Sequence, residues 1–198
     1  MENNVFEQMA KRYDTQERIE LANVILEEVK PRLQNSKDKT LLDYGSGTGL
    51  ISLELADFVQ SVLLVDSAGQ MLEVAKAKIA QSGISNAQVL NADFTQEVPD
   101  VKADIVFMSL VLLHIPDTEK ILQNLFSVLN DGGELWIVDF DKNENISHPK
   151  VHNGFAHEDL KEKLKEAGFA STEIHTFHHG EKIFMKQDAS MFLARSVK

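Results

Sequence analysis

Cysteine is absent from this 198-residue chain. That excludes disulfides and thiolate metal sites, and it leads us to expect a reducing compartment, the cytoplasm. Basic residues are scarce: 20 Lys and Arg stand against 31 Asp and Glu, for a formal charge of −11. With no run of five or more basic residues, neither nucleic acid nor anionic lipid is an expected partner. Long apolar runs are missing too. The longest, residues 105–113, is too short to cross a bilayer, so no membrane span is expected. The opening "MENNVFEQMAKRYD" has neither the basic start nor the apolar run of a secretory signal. Only 4 prolines occur and no Pro- or Ser-rich linker divides the chain, so we expect one domain over 1–198. There is no internal repeat or low-complexity segment.

What is present is an alternation of strand-like and helix-like segments. Apolar runs predict strands at 40–44, 61–66, 88–91, 104–109, 134–139 and 173–177 and at about 190–197. The first, second, fourth and fifth are nearly all apolar, as strands covered on both faces are. Helical periodicity marks 49–58, 68–82, 118–129 and about 158–167. Strand and helix in turn imply right-handed crossovers and a parallel sheet. After Gly168 the alternation stops, and two successive strands predict a terminal antiparallel hairpin. Two segments stand outside this rhythm. Residues 5–33 read as helix, with Val5, Met9 and Tyr13 on one stripe and Leu21, Ile25 and Val29 on another. Residues 140–156 read as an irregular insertion. In an open α/β sheet ligands bind beyond the carboxyl ends of the strands, within reach of both.

The stretch "LLDYGSGTGL", 41–50, places three glycines at alternate positions after a strand. Such a loop makes a tight turn and brings a ligand against backbone N–H groups. A phosphate-binding loop needs Gly-Lys-Ser/Thr, but Leu50 and Ile51 follow Gly49, which excludes ATP or GTP by that route. A dinucleotide fingerprint needs its third glycine where Leu50 stands, so NAD and FAD are disfavoured, though not forbidden. Asp43, two residues before the loop, repels a pyrophosphate and welcomes an ammonium group. Asp66, ending the second strand, can accept from both hydroxyls of a ribose. A ribose and an amino acid head without phosphate describe S-adenosylmethionine.

"LLDYGSGTG", "VLLVDSAGQML", "NADF", "ADIVFMSLVLLHIPD" and "LNDGGELWIVDFD" together resemble the successive motifs of class I S-adenosylmethionine-dependent methyltransferases. The similarity is to the small-molecule branch typified by ubiquinone and menaquinone biosynthesis enzymes. It covers about 35–141 strongly and the remainder more loosely. The resemblance implies an α/β, Rossmann-like, doubly wound sheet of seven strands, mostly parallel with the last antiparallel. It implies a helical lid over 1–33, a cofactor-binding core over 35–141, a substrate-side insertion over 140–156, and a final helix and strand pair over 157–198. It also implies that Asp43 serves the methionine amino group and that Gly45, Ser46, Gly47 and Gly49 wrap the methionine part. Asp66 would take the ribose, Ser67 and Met71 line the adenosine, and Asp93 accept from the adenine amino group with Phe94 beside the ring. Ser109 would place backbone near the methionine end. Tyr44, in place of an aliphatic residue, and Ala68, where proline is frequent, depart from the pattern.

Methyl transfer from a sulfonium needs alignment and desolvation more than a strong base, although an acidic acceptor can use one positioned base. The candidates for such a role are His114, after the fourth strand, and Tyr13, in the N-terminal helix, each of which can also simply pack. His152 and His157, flanking the insertion, are candidates for substrate contact or merely solvated. The trio His175, His178 and His179 offers at best two converging ligands on an alternating strand, so no metal is expected. The expected activity is methyl transfer to a small-molecule acceptor, with a catalytically silent cofactor-binding module and a nicotinamide-dependent oxidoreductase as alternatives. Acceptor determinants should lie in 1–33 and 140–156.

Overall fold

Strands β1 (Thr40–Tyr44), β2 (Ser61–Asp66) and β3 (Ala87–Asn91) run parallel, Thr40 opposite Ser61 and Val62 opposite Ala87. Their apolar residues leave little to face water: Leu41, Leu42, Val62, Leu64 and Val65 are all buried. The computed structural model describes residues 5–198, and expectations placed on residues 1–4 and on the Val5 side chain lie outside them. The described chain packs as two units, one ending at Asp93 and the other starting at Phe94. Among the described residues no helix is long and apolar enough to cross a membrane.

In the first unit the N-terminal segment is not one helix over 5–33. It divides into α1 (Val5–Met9), a 3-10 turn (Ala10–Arg12), α2 (Gln16–Val29) and a second 3-10 turn (Lys30–Leu33). The break follows from Thr15, whose extended backbone and side-chain oxygen, accepting from the Arg18 N–H, start a new helix. The helix expected over 49–58 is likewise short. Only α3 (Ser52–Leu55) and a 3-10 turn (Ala56–Phe58) form, because Gly49 is left-handed at φ +76° and the turn carries on through Ile51. The next helix, α4 (Gly69–Ser82), ends on Gly83 at φ +67°, an ordinary left-handed stop.

The second unit holds β4 (Ala103–Ser109), α5 (Thr118–Val128), β5 (Leu129–Phe140), α6 (His157–Glu166), β6 (Ser171–Phe184) and β7 (Gln187–Val197). Asp117 caps α5 by accepting from the Lys120 N–H at 3.0 Å. Strand β7 is antiparallel to both β5 and β6. The seven strands follow the order β3-β2-β1-β4-β5-β7-β6, the sheet of the class I methyltransferase fold, with its last strand reversed as the sequence predicts. Two strands exceed their expected bounds by five residues or more. β5 begins at Leu129, opposite Ala103, and the register then shifts before Ile105 meets Glu134. β6 runs to Phe184 through two further register shifts.

The insertion is tied down rather than loose. The Phe155 N–H donates to the Phe140 carbonyl, Lys142 N–H to Phe155 and Asn143 N–H to Asn153, closing the loop on itself. The His152 N–H donates to the Leu113 carbonyl at 2.8 Å, joining the loop to the turn after β4. At Gly154, φ is +91° and a Cβ would lie 2.3 Å from the Asp141 carbonyl oxygen. Only glycine fits there.

Candidate functional site

The glycine loop follows β1 directly. The Gly45 and Ser46 N–H groups both donate to the Val65 carbonyl, at 2.7 and 3.1 Å, folding the loop against the end of β2. Gly45, Gly47 and Gly49 all take positive φ, which the alternate spacing in the sequence demands. The loop is then fastened by Asp66. One carboxylate oxygen accepts from the Gly47 N–H at 2.8 Å and the other from the Ala68 N–H at 2.8 Å. Each oxygen keeps acceptor capacity, since a carboxylate has about four lone-pair sites. Burial raises the Asp66 pKa; the Ala68 and Gly47 N–H groups oppose that shift and the Glu7 charge adds to it.

Asp43, on β1, is buried, and desolvation raises its pKa to about 7; the Ser52 hydroxyl partly offsets this and the Asp66 charge adds to it. A folded-state value above the unfolded one means that folding takes up a proton. The stability so gained is complete below about pH 4, where the unfolded carboxyl is also protonated, and is lost as pH rises through about 7. Asp43→Asn should therefore stabilise the protein at pH 8 and leave it nearly unchanged at pH 4. Urea unfolding at the two pH values measures this, and an equal shift at both would contradict it.

Tyr13 lies over the loop, its Cε1 3.7 Å from where a Cβ on Gly47 would stand. Its ring carries the Arg18 guanidinium at 4.1 Å, and burial raises the phenol pKa against that neighbouring charge. Met71 is buried beneath Ala10, with Ala68 in the same cluster and Phe6, Tyr13 and Val74 packed on it. Ser67 is exposed beside Asp66, and Asp93 is half-buried two residues past β3. The first unit thus brings together Tyr13, Gly45, Ser46, Gly47, Gly49 and Asp66. Sequence reasoning missed three residues here. Asn91 donates from its side chain to the Asp66 carbonyl at 2.8 Å, Asp14 accepts from the Thr48 hydroxyl at 2.5 Å, and Glu7 caps α4. Only the last had a signal, the non-capping Ala68 at a helix start.

In the second unit Phe94 is fully buried, a core ring whose carbonyl accepts from the Asn124 side chain at 2.6 Å. Ser109 ends β4 and is followed by Leu110 at φ +55°. His114 lies on a one-turn 3-10 helix (Leu112–His114); although much of its surface is exposed, the protein packed around its ring desolvates it and, with the His148 charge, lowers its pKa. That turn is shaped by Asp139, also unread from the sequence. Fully buried, Asp139 accepts from the Leu113 and Phe140 N–H groups, at 3.1 and 2.8 Å, and desolvation raises its pKa to about 7. The histidines flanking the insertion are not merely solvated. His152 Nε2 lies 2.9 Å from the Ile115 carbonyl. His157 opens α6, with Nε2 2.7 Å from one oxygen of Asp141, whose other oxygen accepts from Thr176 Oγ1 at 2.7 Å. Of the β6 histidines, His179 Nδ1 meets Ser190 Oγ at 3.0 Å. Among the described residues no group of three or more His, Asp or Glu could hold a metal ion.

The first-unit residues fit a cationic nucleoside that carries no phosphate. Ser46 Oγ is buried with no partner among the described residues, a polar group left for a ligand. Asp43 and Asp66 supply acidity where a pyrophosphate would need donors. Fold and loop together define the class as an S-adenosylmethionine-dependent methyltransferase fold of class I. A family described as a methyltransferase domain matches residues 35–190, and the chain belongs to it. The ubiquinone/menaquinone biosynthesis C-methyltransferase of Vibrio vulnificus is 31% identical over 121 residues, 59% of this chain and 46% of that protein. The tRNA 5-carboxymethoxyuridine methyltransferase of Escherichia coli is 28% identical over 118 residues, 58% of this chain and 45% of that protein. The chain spans about half the length of the curated relatives it matches. Among solved structures, an S-adenosylmethionine-dependent methyltransferase from Aquifex aeolicus superposes with a TM-score of 0.71 at 23% identity, covering 96% of this chain and 97% of that one.

Proposed function

We propose that this chain transfers a methyl group from S-adenosylmethionine to a small-molecule acceptor. The observation that carries the reading is the left-handed glycine loop fastened to Asp66, with Asp43 behind it and the Ser46 hydroxyl unpartnered among the described residues. Bound there, the cofactor supplies a methyl group on a sulfonium. The chain's own residues hold and screen. Asp66 fixes the loop and retains acceptor capacity for ribose hydroxyls. Asp43 offers negative charge to the amino group, and Met71 and Ser67 line the adenosine with Asp93 toward the base, whereas Phe94, a fully buried core ring, takes no part. Of the segment expected to form a lid, the described residues 5–33 act as one, bearing Tyr13.

In the second unit Ser109 places backbone, the tied insertion over 140–156 borders the acceptor, and His114 is the candidate base for an acidic one. Its lowered pKa keeps the imidazole neutral, and so able to accept a proton, at pH 7. The net charge of −11 favours a small acceptor over a nucleic acid, despite the tRNA substrate in the name of one relative.

Calorimetric titration with S-adenosylhomocysteine and with NADH tests the cofactor assignment. Binding of the first alone is expected, and binding of NADH alone would overturn the reading in favour of an oxidoreductase. Incubation with methyl-labelled cofactor and a fractionated metabolite extract should transfer label to a small compound. Label found only in RNA would overturn the acceptor class, and no label in any fraction would favour a silent binding module.

A further inference from the structure

Helix α4 starts without a cap of its own. Its N-cap residue is Ala68, which has no side chain to offer. The first two N–H groups of the helix are satisfied by a residue 62 positions upstream: Gly69 donates to one oxygen of Glu7 at 2.6 Å and Gln70 to the other at 2.9 Å. A carboxylate suits this end of a helix, where exposed N–H groups and the helix dipole both favour negative charge. Glu7 sits on α1, and the turns after it lay Phe6, Ala10 and Tyr13 on Ala68, Met71 and Val74. Residues 6–13 therefore form a strap across the side of the site assigned to the adenosine.

The far end of the strap is held differently. Asp14 takes the Thr48 hydroxyl at 2.5 Å and Lys78 Nζ at 2.6 Å, and Lys78 also donates to the Thr48 carbonyl at 3.0 Å. Arg18 holds the Tyr13 carbonyl at 2.9 Å and covers its ring. This end is cross-braced to the glycine loop. The near end hangs on the half-buried Glu7 carboxylate and the small apolar patch behind it. A strap so held opens at its weaker fastening.

We propose that Glu7 is a positioning residue that latches residues 6–13 over the bound nucleoside by capping α4, with Asp14 as the hinge, so that cofactor exchange waits on release of the Glu7 carboxylate. This rests on the cofactor reading above. The latch acts on entry and exit and not on the chemistry, so its removal shows in rate constants for exchange more than in equilibrium affinity.

Dissociation of radiolabelled S-adenosylhomocysteine from the full chain, chased with unlabelled ligand, tests the proposal. Glu7→Ala should raise the dissociation rate about tenfold or more, because two charge-assisted bonds no longer hold the strap. Glu7→Gln, which keeps one neutral acceptor oxygen, should recover part of the difference. A second measurement needs no ligand. Lys11 and Arg12 lie exposed on the strap, so limited trypsin digestion should cut there faster in Glu7→Ala than in wild type, while the urea midpoint moves little. Dissociation and strap cleavage both within twofold of wild type would overturn the latch. If the wild type retains no S-adenosylhomocysteine, the cofactor reading falls, and the trypsin comparison still decides whether Glu7 holds the strap.

Discussion

Asp66→Ala should weaken S-adenosylhomocysteine binding by about 10- to 100-fold while the protein still folds. The carboxylate does two things at once. It accepts from Gly47 and Ala68, and in the proposed complex it accepts from the ribose. Removing it leaves two backbone N–H groups without partners in a half-buried place, each costing about 1–3 kcal/mol if no water replaces the carboxylate. The loop then loses its tie to β2 except through the Val65 carbonyl. Part of the loss should appear as a lower urea midpoint and part as lower affinity. Asp66→Asn, which keeps one acceptor oxygen, should fall between. Calorimetric titration of both variants, with urea unfolding alongside, separates the two parts. Unchanged affinity in folded Asp66→Ala protein would contradict the assignment.

Gly154→Val should disrupt the insertion more severely than any polar substitution within it. The added Cβ meets backbone, not a flexible side chain: 2.3 Å from the Asp141 carbonyl oxygen and 2.8 Å from that of Phe140. A β-branched residue at φ +91° adds conformational strain of about 1–3 kcal/mol. The chain can escape only by moving 153–155 away from β5, which breaks the Phe155 to Phe140 and Lys142 to Phe155 bonds. We expect a loss of stability of roughly 3 kcal/mol or more, together with faster amide exchange over 141–156. Binding of S-adenosylhomocysteine, assigned chiefly to residues before Phe94, should persist. Wild-type exchange rates in the insertion would refute the account.

What could be read from the sequence is what local pattern controls. β1 and β2 were legible to the residue because their runs are uninterrupted and end in charged or glycine positions. The glycine loop was legible because alternate glycines signal left-handed backbone. The helix after that loop was overdrawn. Leu50 to Phe58 has helical apolar spacing, but the same glycines that make the loop delay the helix to Ser52. β6 was underdrawn for the opposite reason. "HHGEKIF" has little strand character of its own, and it is extended because β7 pairs with it.

Apart from the hint that the non-capping Ala68 gives at the start of α4, the ties that fix the candidate site leave no local pattern. Gly47 and Asp66 are 19 residues apart, Thr48 and Asp14 34 apart, and Glu7 and Gly69 62 apart. Side chains that close such distances look like ordinary surface acids until the fold brings their partners. The same holds in the second unit. There Asp139 on β5 and Asp141 just after it find the Leu113 N–H and the His157 imidazole.

The outermost position of β6 in the strand order bears on solubility. A margin of 14 residues with open N–H and C=O groups is a template on which a stranger's strand could polymerise. Here the margin is poorly suited to that use. Glu173, Glu181 and Lys182 put charge along it, and the two dislocations after Thr176 and Gly180 bend the ribbon so that no flat partner could follow its length. Smoothing those irregularities or neutralising those charges should make the chain clump more readily when concentrated.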